Sequence, residues 1–152
     1  IEVAIHPQSL VHSLVEFSDG SLLAQLAVPD MRLPIQTALA GDAPLPGVIR
    51  TVDFSGGLDL RFRPPDTRRF PCLALAYRAG RAGGTAPAVL NAANEEAVKA
   101  FLAGDLAFTG ISRLIARVLD RHAPVRRPGL PGVLRADAWA RETAREVIAC
   151  KS

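Results

Sequence analysis

The sequence predicts an α+β protein: a partial mixed sheet with a β-hairpin, then a linker, then a small four-helix domain. Alternating segments rich in β-branched residues open the chain, a Pro- and Gly-rich stretch follows, and helical spacing of apolar residues dominates from about residue 70. We therefore divide the chain into the end of a sheet-containing domain at 1–45, a linker at 46–69 and a helical C-terminal domain at 70–152.

The opening residues predict strands and a hairpin. The stretch "IEVAI" alternates and predicts a strand, which Pro7 ends because proline cannot donate to a central ladder. Residues 12–26 form two alternating runs joined by Asp19-Gly20, a pair typical of a type I′ turn with positive φ at both central positions. Residues 31–40 predict a short helix.

The C-terminal half predicts four helices. They run from Pro71 to about Arg81, from Thr85 as N-cap to Gly104, from the residue after Thr109 to about His122, and onward from Asp137 as N-cap. The third carries a stripe at helical spacing, made of Ile111, Leu114, Ile115, Val118 and Leu119. Glu95, Glu96 and Lys99 fall outside the apolar stripe of the second helix, so we expect them in solvent.

Composition excludes several classes of protein. Of the 152 residues, 49% are hydrophobic and 22% charged, which is a globular balance. The net charge of +3 comes from arginines interleaved with acids, without the basic stripe and aromatic platforms of a nucleic-acid-binding protein. No apolar run is long enough to span a membrane, and no signal peptide is visible. Cys72 and Cys150 fit no metal or disulfide spacing, which favours a reducing compartment.

The stretch "HPQSLVHS" places Ser9 between two histidines. Six residues apart on a helix, His6 and His12 would diverge by about 120°. On a strand they would share a face, but Pro7 interrupts the strand. A structural role is therefore the more ordinary interpretation of both, and Ser9 lacks the flanking glycines of a hydrolase nucleophile.

A second polar cluster is "NAANEEA" on the second predicted helix. Asn91 and Glu95 share a face, and the ordinary interpretation is a helix–helix contact by Asn91 and Asn94. The arginine pairs at 68–69 and 126–127 are typical of solvated loops, and nothing in the sequence supports anion binding there. From the residues alone, the chain carries no complete active site.

Several long stretches together resemble one family. They are "IHPQSLVHSLVEFSDGSLLAQLAVPDMRLPI", "RFPCLALAY", "GGTAPAVLNAANEEAVKAFLAGDLAFTGISRLI" and "DAWARETAREV". In this order they resemble the C-terminal portion of 1-deoxy-D-xylulose 5-phosphate reductoisomerase, and the resemblance covers nearly all of the chain. Segment 1–45 would then close the catalytic and dimerisation domain.

The resemblance implies an oxidoreductase and isomerase of non-mevalonate isoprenoid biosynthesis. Such an enzyme converts the phosphosugar 1-deoxy-D-xylulose 5-phosphate to 2-C-methyl-D-erythritol 4-phosphate with NADPH and Mg²⁺ or Mn²⁺. The family's cofactor loop, acidic metal ligands and phosphate-binding cluster all match positions before this chain starts. We therefore expect no metal ligand in this chain, no cofactor bound to it alone, and no turnover without the preceding part.

The resemblance also implies four site residues. Ser9 and His12 would be catalytic residues beside the substrate, while Pro29 and Met31 would form an apolar pocket wall near the nicotinamide end of the cofactor. The family implies a cytoplasmic homodimer, which would pair through the sheet edge. An alternative stays open: a non-catalytic module that keeps the fold for dimerisation or partner binding, with no nucleic acid or membrane as partner.

Overall fold

The computed structural model describes residues 1–41 and 45–150. Contacts divide the chain into two compact units, Ile1–Pro65 and Asp66–Ser152. Most of the expected linker, residues 46–65, therefore falls in the first unit. The domain limits given above stay a prediction. The Pro- and Gly-rich stretch that follows the alternating segments begins at Gly41, and its residues 42–44 lie outside the described residues.

The first unit contains a hairpin and one short helix. Its elements are β1 (Val11–Glu16), β2 (Leu22–Leu26) and α1 (Arg32–Ala40). The two strands are antiparallel, as predicted, and α1 confirms the short helix. Among the described residues, Ala27 is the only buried hydrophobic residue of this unit, so most apolar side chains of the hairpin remain exposed.

The predicted type I′ turn between the strands is wrong. The Phe17 N–H donates to the Ser21 carbonyl and the Gly20 N–H to the Phe17 carbonyl, both at 2.9 Å, which defines a three-residue loop. Within this loop only Gly20 has positive φ, at 85°. The Asp19 carboxylate accepts hydrogen bonds from the backbone N–H and the hydroxyl of Ser21, which stabilises the longer loop.

The strand predicted from "IEVAI" does not form in the described part of the chain, where one antiparallel bridge stands in its place. Ile5 and Arg63 exchange backbone hydrogen bonds of 2.8 and 2.9 Å. Alternation of apolar residues predicts the face of a strand but not its neighbour. Without a neighbouring strand along its length, the segment gains only this single pair of bonds.

The second unit contains the four predicted helices. They are α2 (Cys72–Ala82), α3 (Ala86–Ala103), α4 (Phe108–Arg121) and α5 (Leu130–Ala149). Gly83 and Gly104 end α2 and α3 with positive φ, as their positions in the sequence indicate. No helix within the described ranges is long and apolar enough to cross a membrane.

The start of the last helix was placed wrongly by the sequence. Asp137 is not its N-cap, because α5 begins seven residues before it, after Gly129. Pro131 lies in the first turn, where its missing N–H costs no helical hydrogen bond. Asp137 instead pairs with Arg141 one turn later, at 2.8 Å. The Pro- and Gly-rich stretch before Asp137 is therefore a loop up to Gly129, and its last residues, 130–132, form the first turn of the helix.

The core of the helical unit is built mainly from alanines. Ala93 and Ala97 on α3 and Ala140 and Ala144 on α5 are fully buried. Such small side chains let the two helix backbones approach closely, and packing at that distance excludes water. The predicted stripe of α4 covers this layer and is buried throughout, with Val118 fully enclosed.

Glu96 is an exception to the expected solvated face of α3. Only 7% of the residue is exposed, and its carboxylate pairs with Lys99 at 3.0 Å and Arg141 at 3.3 Å. Arg141 also binds Glu95 at 2.8 Å, so one guanidinium joins α3 to α5. Hydrogen bonds from Lys99 lower the pKa of Glu96 below its usual value. Periodicity places an acid on a face but does not show that a cation from another helix covers it.

Replacing Glu96 with Gln should lower the free energy of unfolding by about 1–3 kcal/mol at pH 7, because the surrounding cations lose their buried anion. The exposed Glu142→Gln variant removes the same charge from α5 and should change stability by less than about 0.5 kcal/mol. Urea unfolding followed by circular dichroism measures both.

The effect of Glu96→Gln should also depend on pH. A carboxyl group whose pKa is lower in the folded protein stabilises the fold above its unfolded pKa, and this contribution is lost as the pH falls. The stability gap between wild type and Glu96→Gln should therefore narrow below about pH 4.5. A gap of constant size from pH 7 to pH 3 would contradict this role of Glu96.

Candidate functional site

A β-bulge positions His12 at one end of the hairpin. Val11 pairs with Leu26 and Ser13 pairs with Gln25, so His12 is the additional residue on β1. Bulges redirect a side chain that regular alternation would send elsewhere, and they are frequent beside active sites.

A hydrogen bond from the His12 side chain to the backbone after β2 holds the imidazole in place. The Nε2 atom of His12 donates to the Ala27 carbonyl oxygen at 3.1 Å. A carbonyl can only accept, so this bond places the hydrogen on Nε2 and leaves Nδ1 of the neutral ring as an acceptor. The ring is therefore oriented by the backbone that leads into the next loop, and one polar atom remains available for a ligand.

His12 lies in the wall of a cavity of about 810 Å³ within the first unit. The cavity is lined by His12, Gln25, Ala27, Val28, Pro29, Asp30, Met31, Leu33, Pro34, Thr37 and Ala38. Most of these side chains are apolar, and Met31 is 71% exposed. A concave apolar surface with a few polar groups is the usual form of a small-molecule site. Of the four residues singled out by the sequence, this cavity brings together His12, Pro29 and Met31.

Ser9 is placed differently. It is exposed, it is not among the lining residues of the cavity, and its φ of 51° is in the left-handed region. Its N–H donates to the His6 carbonyl at 3.1 Å in a tight turn. A serine in this conformation carries a backbone cost of about 1–3 kcal/mol, which is the kind of strain found near functional sites.

His6 makes structural contacts. Its Nδ1 donates to the Arg61 carbonyl at 2.8 Å, and its ring stacks on Phe62 with centroids 4.6 Å apart. The Nε2 atom is buried without a partner among the described residues. These contacts tie the start of the first unit to the segment before residue 65, and His6 does not line the cavity of His12.

An ion pair next to the cavity fixes the loop that carries Pro29 and Met31. Arg32 donates to both oxygens of Asp30, with distances of 2.6 to 3.0 Å, and the Arg32 backbone N–H also donates to that carboxylate. These bonds lower the pKa of Asp30 to about 2. Because both of its oxygens are bonded to Arg32, Asp30 orients the loop before α1 and is not a free metal ligand. No group of three or more potential ligands is present within the described residues.

Several lining residues and this ion pair were not predicted from the sequence. Leu33, Pro34, Thr37 and Ala38 recur at the spacing of one helix face, so the predicted helix of residues 31–40 already contained the signal. The "PDMR" stretch likewise places an acid two residues before an arginine at a helix start. Gln25 joins the wall because it lies on β2 opposite the bulge.

Comparison with known proteins identifies the family of this chain. Residues 26–143 match the model of the DXP reductoisomerase C-terminal domain. The chain belongs to the 1-deoxy-D-xylulose 5-phosphate reductoisomerase family. A reductoisomerase of this family from Pelotomaculum thermopropionicum is 55% identical over 148 residues, covering 97% of this chain and 38% of that protein. The chain thus spans about two fifths of the length of such relatives.

Solved structures of reductoisomerases have the same fold in the part that matches this chain. The enzyme from Zymomonas mobilis in complex with NADPH superposes with a TM-score of 0.89 at 41% identity, covering 97% of this chain and 39% of that one. A DOX-P reductoisomerase in complex with NADPH, fosmidomycin and magnesium gives a TM-score of 0.83 at 39% identity, covering 96% and 38%. The resemblance noted in the sequence is confirmed, and so is the α+β fold class.

Proposed function

We propose that this chain is the C-terminal part of an NADPH-dependent enzyme that converts 1-deoxy-D-xylulose 5-phosphate to 2-C-methyl-D-erythritol 4-phosphate. The observation that carries the proposal is 55% identity to a reductoisomerase along 97% of this chain. The cavity around His12 supports it, because two regions that the family resemblance assigns to the pocket, His12 and the Pro29–Met31 loop, line one hollow.

His12 and the apolar wall have separate roles in this proposal. The Nδ1 atom of His12 accepts a hydrogen bond from a substrate hydroxyl, while the bond from Nε2 to Ala27 keeps the ring in place. Pro29 and Met31 pack against a flat ring and exclude water from it, which fits the nicotinamide end of NADPH. NADPH supplies the hydride when bound. The family resemblance assigns Ser9 a place beside the substrate, but Ser9 does not line this cavity, so its role stays a prediction from the resemblance.

The metal and the rest of the cofactor site belong to the preceding part of the enzyme in this proposal. The donor set of the described residues does not fit a divalent ion, since Asp30 is already bound by Arg32 and no cluster of ligands surrounds the cavity. We assign Mg²⁺ or Mn²⁺ to the intact enzyme and derive no step through it here.

The intact enzyme is, in this proposal, a cytoplasmic homodimer that forms through the hairpin edge. Leu14, Val15, Leu22 and Leu23 are 47 to 63% exposed on the two strands of the hairpin. Exposed apolar strands of this kind gain stability by pairing with further strands or with a second copy.

An assay of the natural gene product tests the proposed reaction. NADPH oxidation that requires 1-deoxy-D-xylulose 5-phosphate and a divalent cation, and that fosmidomycin suppresses, is the expected result. A native protein that binds neither NADPH nor fosmidomycin would contradict it.

The exposed hairpin also favours a second function, a non-catalytic dimerisation module with the same fold. The mass of the natural protein separates the two functions. A native mass near 16 kDa favours the module. A mass larger by about 2.5-fold favours the enzyme, since that size accommodates the additional domains.

A further inference from the structure

We propose that the helical unit binds a small phosphate ester in a cavity between the end of α4 and the start of α5. The cavity measures about 720 Å³. The residues that matter for the argument are Thr85, Arg121, His122, Arg127, Arg135 and Trp139. All of these residues lie within the second unit, so the proposed site needs no residue of the first unit.

The charge around this cavity is unbalanced. Arg121, Arg127 and Arg135 line it, and no acidic residue is among the described lining residues. Two other arginines of the same unit are neutralised by carboxylates: Arg78 pairs with Asp120 at 2.8 Å, and Arg141 pairs with three carboxylates. Within the described ranges the three cavity arginines have no carboxylate partner. Three positive charges around one concavity repel each other, and an anion between them relieves that repulsion.

The guanidinium groups narrow the chemistry of the anion. The planar fork of arginine donates two parallel hydrogen bonds to phosphate oxygens. The N-terminus of the 20-residue helix α5 adds a positive partial charge, and its first turn contains no acid that would offset it. A phosphate dianion matches three arginines better than a single carboxylate does.

An apolar wall gives the organic part of the ligand its place. Trp139 is partly buried against His122, with ring centroids 5.2 Å apart, and Pro128 and Pro131 complete that side. Burial lowers the pKa of His122, so the ring is neutral at pH 7 and adds to the wall instead of the charge. An ester with a flat or apolar group fits this surface better than inorganic phosphate.

The cavity wall is preformed. The Thr85 N–H donates to the Val125 carbonyl at 3.2 Å, and the Val125 N–H donates to the Thr85 hydroxyl at 3.0 Å. The same hydroxyl, which is fully buried, bonds Nε2 of His122 at 2.8 Å. These bonds attach the loop after α4 to the start of α3, so little ordering cost remains when a ligand binds.

Fluorescence of Trp139 tests the proposal, because Trp139 is the only tryptophan of the 152-residue chain. The chain is titrated with phenyl phosphate and with inorganic phosphate at constant ionic strength, and calorimetry on the same samples detects binding that leaves the fluorescence unchanged. We expect saturable binding of both, with phenyl phosphate bound several-fold more tightly. Arg127→Gln/Arg135→Gln should weaken binding by about tenfold or more.

The matched control is Arg113→Gln/Arg117→Gln. It removes the same charge from the exposed face of α4, outside the cavity, and should change the affinity by less than about twofold. Circular dichroism verifies that each variant is folded. Equal weakening by both double variants would overturn the proposal, since it would indicate only a general charge effect. Absence of saturable binding to the wild type, or equal affinity for the two phosphates, would overturn it as well.

Discussion

Replacing Gly84 with Ala is expected to destabilise the helical unit by more than about 3 kcal/mol. Gly84 has a φ of +57°, and a Cβ atom there would lie 2.1 Å from the Val125 carbonyl oxygen. That carbonyl cannot move away freely, because it accepts the hydrogen bond from Thr85. The substitution therefore combines backbone strain with a clash against fixed backbone. Urea unfolding followed by Trp139 fluorescence and circular dichroism measures the loss.

Gly80→Ala is the matched control for this prediction. Gly80 lies inside α2, and a Cβ there meets nothing within 4 Å. The same added methyl group should stabilise the helix by up to about 1 kcal/mol, because alanine loses less backbone entropy than glycine. If Gly84→Ala unfolds at the same urea concentration as the wild type, the close approach of Gly84 to Val125 is not a constraint on this fold.

His12→Gln in the intact enzyme is expected to lower kcat/KM by about 10- to 1,000-fold, the range for loss of one positioned catalytic group. Glutamine can still donate to the Ala27 carbonyl, but it does not reproduce the rigid acceptor that Nδ1 provides. Steady-state kinetics with varied substrate and saturating NADPH measure the effect.

His6→Gln serves as the control for the His12 variant. It is the same substitution six residues away, at a ring that stacks on Phe62 and does not line the cavity. We expect lower stability of the first unit but a kcat/KM within about threefold of the wild type, since no ligand contact is lost. Unchanged kinetics of His12→Gln would remove His12 from the catalytic residues.

The sequence predicted the helices best where each helix packs against another helix of the same chain. The spacing of apolar residues and the capping residues predicted the four helices, the apolar stripe of α4 and the end of α3 at Gly104. These predictions hold because the helices bury one another within the chain. The strand predicted from "IEVAI" is wrong for the opposite reason. A strand needs a neighbouring strand to pair with, and the sequence pattern does not specify that neighbour. The predicted first residue of α5 was wrong because Pro131 is compatible with both a loop and a first helical turn.

The candidate site was predictable only in part. The resemblance implied four site residues, of which His12, Pro29 and Met31 line one cavity and Ser9 does not. A bulge in β1 and an ion pair before α1 place the three that do. A bulge has no pattern of its own in a single sequence, so spacing alone could not bring His12 to that wall. Of the cavity arginines near α5, only Arg127 was interpreted from the sequence, as a solvated loop charge. Residues 121 to 135 become neighbours only once the loop between the helices folds back.

The Met31 methyl group offers the most direct measurement of the proposed pocket. In the intact enzyme carrying ¹³C-methyl methionine, with the Met31 resonance assigned by a Met31→Leu variant, NADPH is added in steps. If Pro29 and Met31 form the wall beside the nicotinamide, the Met31 resonance shifts and saturates together with cofactor binding. If NADPH binds fully while the Met31 resonance stays where it was, the wall is elsewhere and the account of this cavity is wrong.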